Sequence, residues 1–208
     1  MKNKPNSANL VDDLIGKTGQ AIGAIKVGLT GQTNLGGKTK AHVVPNKQSA
    51  LWGSLNKKSL HHTGMARGFD LDLKGKPFLK LQKSFAPGKK QNNKLFGELL
   101  ALQLNLVASG LKTPAGLGVL IYSDPLSDYD GMTIDEIADY ADTVMTNFEF
   151  IPLGVYASLD SVVAKINAAV NKVLQDPEVQ KTIDAQGAQV AGGTAADFRQ
   201  MIGVEVEK

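Results

Sequence analysis

The sequence has no cysteine among its 208 residues, which excludes disulfide scaffolds, thiolate metal sites and cysteine nucleophiles. It also lacks any apolar run approaching the roughly 20 residues needed to cross a bilayer, so we expect no transmembrane segment. The basic start, MKNKPNSANLVDDL, has no apolar stretch of the kind that defines a signal peptide. What remains is an ordinary globular composition, 42% apolar and 21% charged, which suffices for one good core or two small ones.

Charge is divided unequally along the chain. Residues 1–90 hold 16 Lys and Arg against four acids, whereas residues 91–208 hold 7 against 16. An asymmetry on this scale indicates two segments with different roles. We place the boundary in the polar stretch 86–93 (APGKKQNN). The predicted domains are a basic, Gly-rich segment over 1–90, partly disordered or β, and an acidic α-helical domain over 91–208.

The basic segment shows little sustained helical periodicity. Residues 21–30 (AIGAIKVGLT) are predicted to form a short strand. Further along, alternation predicts that Phe69, Leu71 and Leu73 share one face, ahead of a turn over 74–77.

The acidic segment predicts five helices, because capping residues, apolar faces and stops agree with one another. The predicted helices span 94–109 after Asn92 or Asn93, 134–148 after a Thr133–Glu136 capping box, 159–175 after Ser158, a short helix from Pro177 to a stop at Gly187 after Asp176, and 195–206 after Thr194. The predicted fold class is therefore α+β: an irregular basic segment with possible short strands, followed by an α-helical domain of about five helices.

One tract resembles the end of a phosphate-binding loop. Gly37, Lys38 and Thr39 fit the final residues of that motif, but the position that should hold its first glycine is Gln32. Residues 40–46 (KAHVVPN) do not form the helix on which such a loop depends. A Gly-rich basic turn is the favoured interpretation.

The three histidines do not form a metal-binding pattern. The side chains of adjacent His61 and His62 point apart on a strand and diverge by about 100° on a helix, and His42 is distant in sequence. Solvated loop histidines are the favoured interpretation.

A second incomplete pattern resembles a calcium loop. Asp128, Asp130 and Gly131 match its third, fifth and sixth positions, but Leu126 and Ile137 occupy the first and twelfth. An Asx-rich turn that leads into the Thr133 cap explains the same residues.

The basic segment carries residue types that bind nucleic acids. The candidates are the lysines Lys57, Lys58, Lys74, Lys76, Lys80 and Lys83 and the aromatic residues Trp52, Phe69, Phe78 and Phe85. Arg67 is the only arginine of the segment, which argues against base-specific recognition. The favoured interpretation is a basic layer packed on the acidic helices of its own chain or of a neighbour. The remaining carboxylates are interpreted as lying on helix exteriors.

Residues 161–208 resemble the C-terminal segment of the substrate-binding proteins of tripartite tricarboxylate transporters. The run VVAKINAAVNKVLQDPEVQK, a short helix ending in AQGA, the triplet GGT and a last helix with ADF follow that family's order and spacing. The resemblance implies a periplasmic receptor of two α/β lobes that captures small carboxylates in the cleft between them. Nothing in residues 1–160 matches the family's ligand-contacting loops, so no binding residue is carried over.

Residues 93–170 are similar to a small helical module of secreted bacterial surface proteins. The tracts ELLALQLNLVAS, GLGVLIY, GMTIDEIADYADTVMT and LDSVVAKINAAV carry the similarity, while Asn147, Phe148 and Glu149 replace the glycine pair expected after the second helix. That module has no assigned activity and accompanies other extracellular modules. The two resemblances overlap at 159–170, which leaves open a composite origin, natural or artificial.

Both resemblances imply a location outside the cytoplasm and a function without catalysis. We expect a non-catalytic extracytoplasmic binding protein, periplasmic or secreted, that carries the C-terminal part of a tripartite tricarboxylate transporter substrate-binding protein without its complete ligand cleft. Its partners would be a small carboxylate or membrane transporter subunits. The alternative is a structural or adhesion module of a secreted surface protein, which binds an anionic polymer or a surface protein through residues 1–90. No catalytic, cofactor-binding or metal-binding residue is assigned, and no cofactor is expected.

Overall fold

The computed structural model describes residues 25–55, 60–110 and 116–185. In these ranges the protein is α+β and mostly helical, as the sequence predicts. The elements in chain order are β1 (His42–Val43), α1 (Gln48–Leu55), a 3-10 helix (Leu60–Thr63), β2 (Leu81–Gln82), α2 (Lys94–Gly110), α3 (Ile134–Thr146), α4 (Leu153–Leu174) and α5 (Pro177–Ala185). The predicted stop at Gly187 and the predicted helix over 195–206 with its cap Thr194 lie outside the described residues.

Short backbone pairings hold the described part of the basic segment together. β1 and β2 pair in parallel, with His42 opposite Leu81. Val27 forms an antiparallel bridge with Val43, and their two N–H···O distances are 2.9 and 2.8 Å. The strand predicted over 21–30 is therefore a single bridge in its described portion.

The predicted turn over 74–77 is present, but the predicted common face before it is wrong. The Asp72 carboxylate accepts hydrogen bonds from the N–H groups of Lys74 and Lys76 at 2.8 and 2.9 Å. Phe69 is buried, because its amide donates to the Met145 carbonyl of α3 at 2.8 Å and the ring enters the core. Leu71 and Leu73 are exposed, because they lie on the hairpin that projects beyond this attachment.

Two short helical elements in the basic segment were not predicted. The helix α1 spans only eight residues and buries Ala50, Leu51 and Leu55. Two turns are too few for a periodic pattern to stand out in sequence, and tertiary burial stabilises such a short helix. The 3-10 helix that follows places His61 in the core.

The caps predicted for three helices are confirmed. The Asn93 side chain accepts a hydrogen bond from the Phe96 amide at 3.2 Å, so α2 begins at Lys94. Thr133 and Glu136 form the reciprocal capping box of α3. At α5, the Asp176 side chain accepts a hydrogen bond from the Glu178 amide at 2.8 Å.

The prediction that Ser158 caps a helix is wrong. Helix α4 begins at Leu153, directly after Pro152, whose φ of −61° already suits a helix start. Ser158 lies inside the second turn, because the buried positions Tyr156 and Leu159 already follow the helical spacing. At the other end of α4, 57% of Val173 is exposed.

The hydrophobic core extends across the predicted boundary at residue 90. The ring of Phe85, before the boundary, lies 4.6 Å from the ring of Phe96, after it, measured between centroids. Phe69 lies 5.2 Å from Phe85 and belongs to the same buried cluster as Leu99 and Leu102 of α2. The division into two domains stays a prediction, but the described residues on both sides share one core, and we expect them to unfold together.

Helix α4 is the one helix in the described ranges that is long and apolar enough to cross a membrane by length and composition. One such helix is weak evidence for a membrane span, because a core helix has the same properties. The contact between α4 and α2 is more extensive than the contact between any other two described elements. Helix α4 buries Leu159, Val163 and Ile166 in that core.

Candidate functional site

The residues that resemble a phosphate-binding loop form a hairpin turn. Asn34 accepts hydrogen bonds on its side chain from the amides of Gly36 and Lys38, both at 3.0 Å. Thr39 bridges back to Thr33 in antiparallel fashion, and Gly37 has a φ of 71°, a conformation that favours glycine. The Gly-rich turn favoured by the sequence is confirmed, and the chain continues into β1 rather than into a helix.

His61 is a core residue and His42 is buried in β1, so the prediction that the histidines are solvated loop residues is wrong for both. The Nε2–H of His61 donates to the Phe85 carbonyl at 3.1 Å, and its Nδ1 accepts from the Asn93 amide at 3.1 Å. Its ring lies 5.0 Å from Phe96. Burial lowers the pKa of the imidazole from 6.5 to about 4. The neutral form is therefore native, and its contribution to stability is complete above about pH 6.5 and lost as the pH falls towards 4.

The acidic loop before α3 is an Asx-rich turn. The Asp130 carboxylate accepts a hydrogen bond from the Asp124 amide at 2.6 Å, and Gly131, with a φ of 81°, donates its N–H to the Tyr122 carbonyl. Within the described ranges, no group of three or more histidine and acidic side chains is arranged to hold a metal ion.

Three of the four aromatic residues considered for nucleic-acid binding are unsuited to stacking on bases, while Trp52 is half-buried against the core. Phe69, Phe78 and Phe85 are buried, with at most 6% of each exposed. Arg67 is engaged within the chain, since its guanidinium donates to the Asp70 carboxylate at 2.5 and 3.2 Å. The lysines at 57 and 58 lie outside the described residues, whereas those at 74, 76, 80 and 83 are exposed.

Asp142 is a buried carboxylate, although the sequence was interpreted as placing the remaining acids on helix exteriors. Its Oδ1 accepts from the Gly28 amide at 2.7 Å, and its Oδ2 accepts from the Gln103 side chain at 3.2 Å. One turn further on, the Thr146 hydroxyl accepts from the Leu29 amide at 2.7 Å. Helix α3 thus binds the β-bridged layer on one side and α2 on the other. Burial raises the pKa of Asp142 to about 7.

A second set of polar side chains lies between α2 and α4. Lys94 pairs with Asp160 at 2.7 Å, which raises the pKa of the lysine. The Asn167 amide donates to the backbone carbonyl and the carboxylate of Glu98, both at 2.9 Å, and accepts from Asn105 at 3.2 Å. These contacts fix the register of two helices whose other contacts are apolar. Signals for such residues exist in the sequence, since Asp142 and Asn167 each adjoin an inward-facing apolar position.

A shallow groove of about 640 Å³ lies beside the Lys94–Asp160 pair. Its lining residues are Ala66, Lys94, Ala157, Asp160, Ser161, Ala164, Lys165 and Ala168. Lys165, on its rim, pairs with Asp124 at 2.8 Å. The Oδ1 atom of Asp160 is buried and has no hydrogen-bond donor among the described residues. The groove therefore has a floor of small side chains and two ammonium groups, each of which already has a carboxylate partner.

No protein-family model matches the chain, and comparisons with curated proteins and with solved structures give no match. Both resemblances seen in the sequence therefore stay predictions.

The buried carboxylate of Asp142 generates a test based on pH. Because the native pKa of about 7 exceeds the ordinary value of 3.8, the native state binds more protons than the unfolded state between these values, and stability falls as pH rises through that range. Asp142→Asn keeps an acceptor for Gly28 and removes this loss. The difference in the free energy of unfolding between Asp142→Asn and wild type should increase in favour of the variant by about 3 kcal/mol from pH 5 to pH 8, at about 1.4 kcal/mol per pKa unit.

The control is Asp135→Asn, which removes an exposed carboxylate two turns away on the same helix. Urea unfolding curves measured at several pH values give the free energy of unfolding of each variant and of wild type. A difference between Asp142→Asn and wild type that does not change with pH would show that Asp142 is ionised in the native state throughout.

Proposed function

We propose that this protein is a non-catalytic extracytoplasmic module that binds its partner through its surface. The extracytoplasmic location rests on the two sequence resemblances. The mode of binding rests on one observation, the exposed positive charge of the basic segment. Its partners in this proposal are an anionic polymer or another surface protein.

The exposed lysines that support this proposal are Lys38, Lys47, Lys74, Lys76, Lys80, Lys83 and Lys89. Within the described ranges, none of these seven forms an ion pair, although Lys40 of the same segment pairs with Glu149 at 2.7 Å. Their ammonium groups are therefore available to a partner. Lysine is a compact, strongly hydrated point charge, so a surface of this kind binds anionic partners without reading a specific geometry.

Binding to heparin tests this proposal. At low salt the full chain should bind, and the affinity should fall steeply as salt rises, because each contact releases counterions. Lys74→Gln/Lys76→Gln neutralises two exposed lysines of the 72–76 turn. The double variant should weaken binding about 30-fold, since each lysine near an anionic surface contributes about 1 kcal/mol.

The matched control is Lys172→Gln/Lys181→Gln, which removes the same charge from exposed positions of α4 and α5. It should bind heparin nearly as wild type does. Equal losses in the two double variants would show that net charge, rather than the basic segment, governs binding. An affinity for heparin that does not change with salt concentration would contradict any role of the lysines.

A second candidate function is capture of a small carboxylate, as the resemblance of residues 161–208 implies, with membrane transporter subunits as partners. The groove beside α4 favours it, because two lysines border a concave surface. Against it, Lys94 and Lys165 are already paired with carboxylates, and a ligand would have to replace those pairs.

We therefore expect calorimetry with succinate and citrate to show no saturable binding. A micromolar dissociation constant for either compound would favour the receptor function instead. If Lys165→Gln abolished that binding, the ligand site would be the groove. The proposal of surface binding would then leave the role of the groove unexplained.

A further inference from the structure

Residues 119–140 form an exposed surface that combines apolar side chains with negative charge, named here the acidic ridge. Its exposed apolar members are Val119, Leu120, Ile121, Leu126 and Tyr140, and its exposed acids are Asp128, Asp130, Asp135, Glu136 and Asp139. The fractions of Ile121 and Leu126 exposed are 67% and 98%. Apolar side chains this exposed, grouped and rimmed by charge, are typical of interaction surfaces.

Backbone hydrogen bonds make the acidic ridge one continuous surface. Ile121 bridges to Thr133, and the Ile134 amide donates to the Leu120 carbonyl at 2.9 Å. The Asp135 amide donates to the Gly118 carbonyl at 3.0 Å, which places the apolar run against the first turn of α3. Asp139 lies one turn further along the same helix.

Residues 71–89 form a surface of the opposite charge, named here the basic ridge. Its exposed apolar members are Leu71, Leu73 and Leu81, and its exposed lysines are Lys74, Lys76, Lys80, Lys83 and Lys89. Leu71 bridges to Pro77, and the Leu73 amide donates to the Lys90 carbonyl at 2.8 Å, so this surface is continuous too.

Each ridge has five exposed charged side chains, and the two sets are of opposite sign. The lysines of one ridge do not pair with the acids of the other within one chain. In the part of the chain that the structure describes, none of these ten charged side chains takes part in an ion pair. Each ridge adds exposed leucine or isoleucine side chains that a partner would cover. The charge and the apolar residues that complement each ridge are therefore present on the other.

We infer that the acidic ridge of one copy docks on the basic ridge of a second copy, so that the protein associates with itself head to tail. The inference rests on the proposed function, since it names the partner of the same lysine surface. Two different surfaces meet in this contact, and each copy carries one of each, so association can continue beyond two copies into chains or rings. Charge complementarity sets the register and makes the association sensitive to salt.

Sedimentation velocity of the full chain at increasing concentration tests the inference. Wild type should associate at about 50 mM NaCl and return to monomer at about 500 mM, where charges are screened within a few ångströms. Lys74→Gln/Lys76→Gln weakens the basic ridge and Asp128→Lys/Asp139→Lys reverses part of the acidic ridge. Each should reduce the association constant at least about tenfold, the change that 1.4 kcal/mol produces. Lys172→Gln/Lys181→Gln should associate as wild type does, and thermal melts should show that every variant is folded.

Mixing distinguishes docking of the acidic ridge on the basic ridge from a contact between two like ridges. Each ridge variant retains one intact ridge, so an equimolar mixture should form a one-to-one complex that does not grow further. A wild type that stays monomeric at about 50 mM NaCl, or ridge variants that associate unchanged, would overturn the inference. If heparin binding persists in that case, the proposed surface-binding function stands, whereas loss of both would overturn both.

Discussion

The cluster of rings formed by His61, Phe69, Phe78, Phe85 and Phe96 is the contact on which the rest of the fold depends. Phe85 lies at its centre, with the rings of Phe69, Phe78 and Phe96 at 5.2, 5.0 and 4.6 Å. Four members come from the irregular basic segment, and Phe96 comes from the first turn of α2. The backbone pairings of the segment are isolated bridges and two-residue strands, so burial of these rings contributes much of its order. The exposed lysines keep their positions because the rings beneath them are fixed.

Polar contacts then determine how the layers sit on one another. Asp142 accepts from Gly28 on one side and from Gln103 on the other, while Asn167 joins Glu98 and Asn105 between α2 and α4. Burying a carboxylate costs free energy, and the raised pKa of Asp142 reflects that cost. Any other register of the helices would leave these buried polar groups without partners, so the contacts favour one packing arrangement.

The helices were predictable from sequence wherever a capping residue and an apolar face coincide. Asn93 and the Thr133–Glu136 box show this, because a cap is a local interaction encoded within four residues. The start of α4 was not predictable from Ser158, since a serine inside a helix is locally indistinguishable from a cap. Asp142, Asp160 and His61 are buried against partners that lie 24 to 114 residues away in sequence. No local pattern contains such partners. The groove is not predictable from sequence for the same reason, whereas most lysines of the basic ridge were already candidates because they are close together in the sequence.

The most direct test of a shared core is the unfolding of Phe85→Ala followed by two probes. Trp52, the only tryptophan, reports on the basic segment by fluorescence, and far-ultraviolet circular dichroism reports on the helices. If the core is shared, both probes should show one transition in wild type, and both should shift together by about 3–5 kcal/mol in the variant. Phe150→Ala removes a ring that is 99% exposed and should shift neither. A helical transition that stays unchanged in Phe85→Ala while the Trp52 signal is lost would show that the helices form a separate domain and would contradict the shared core.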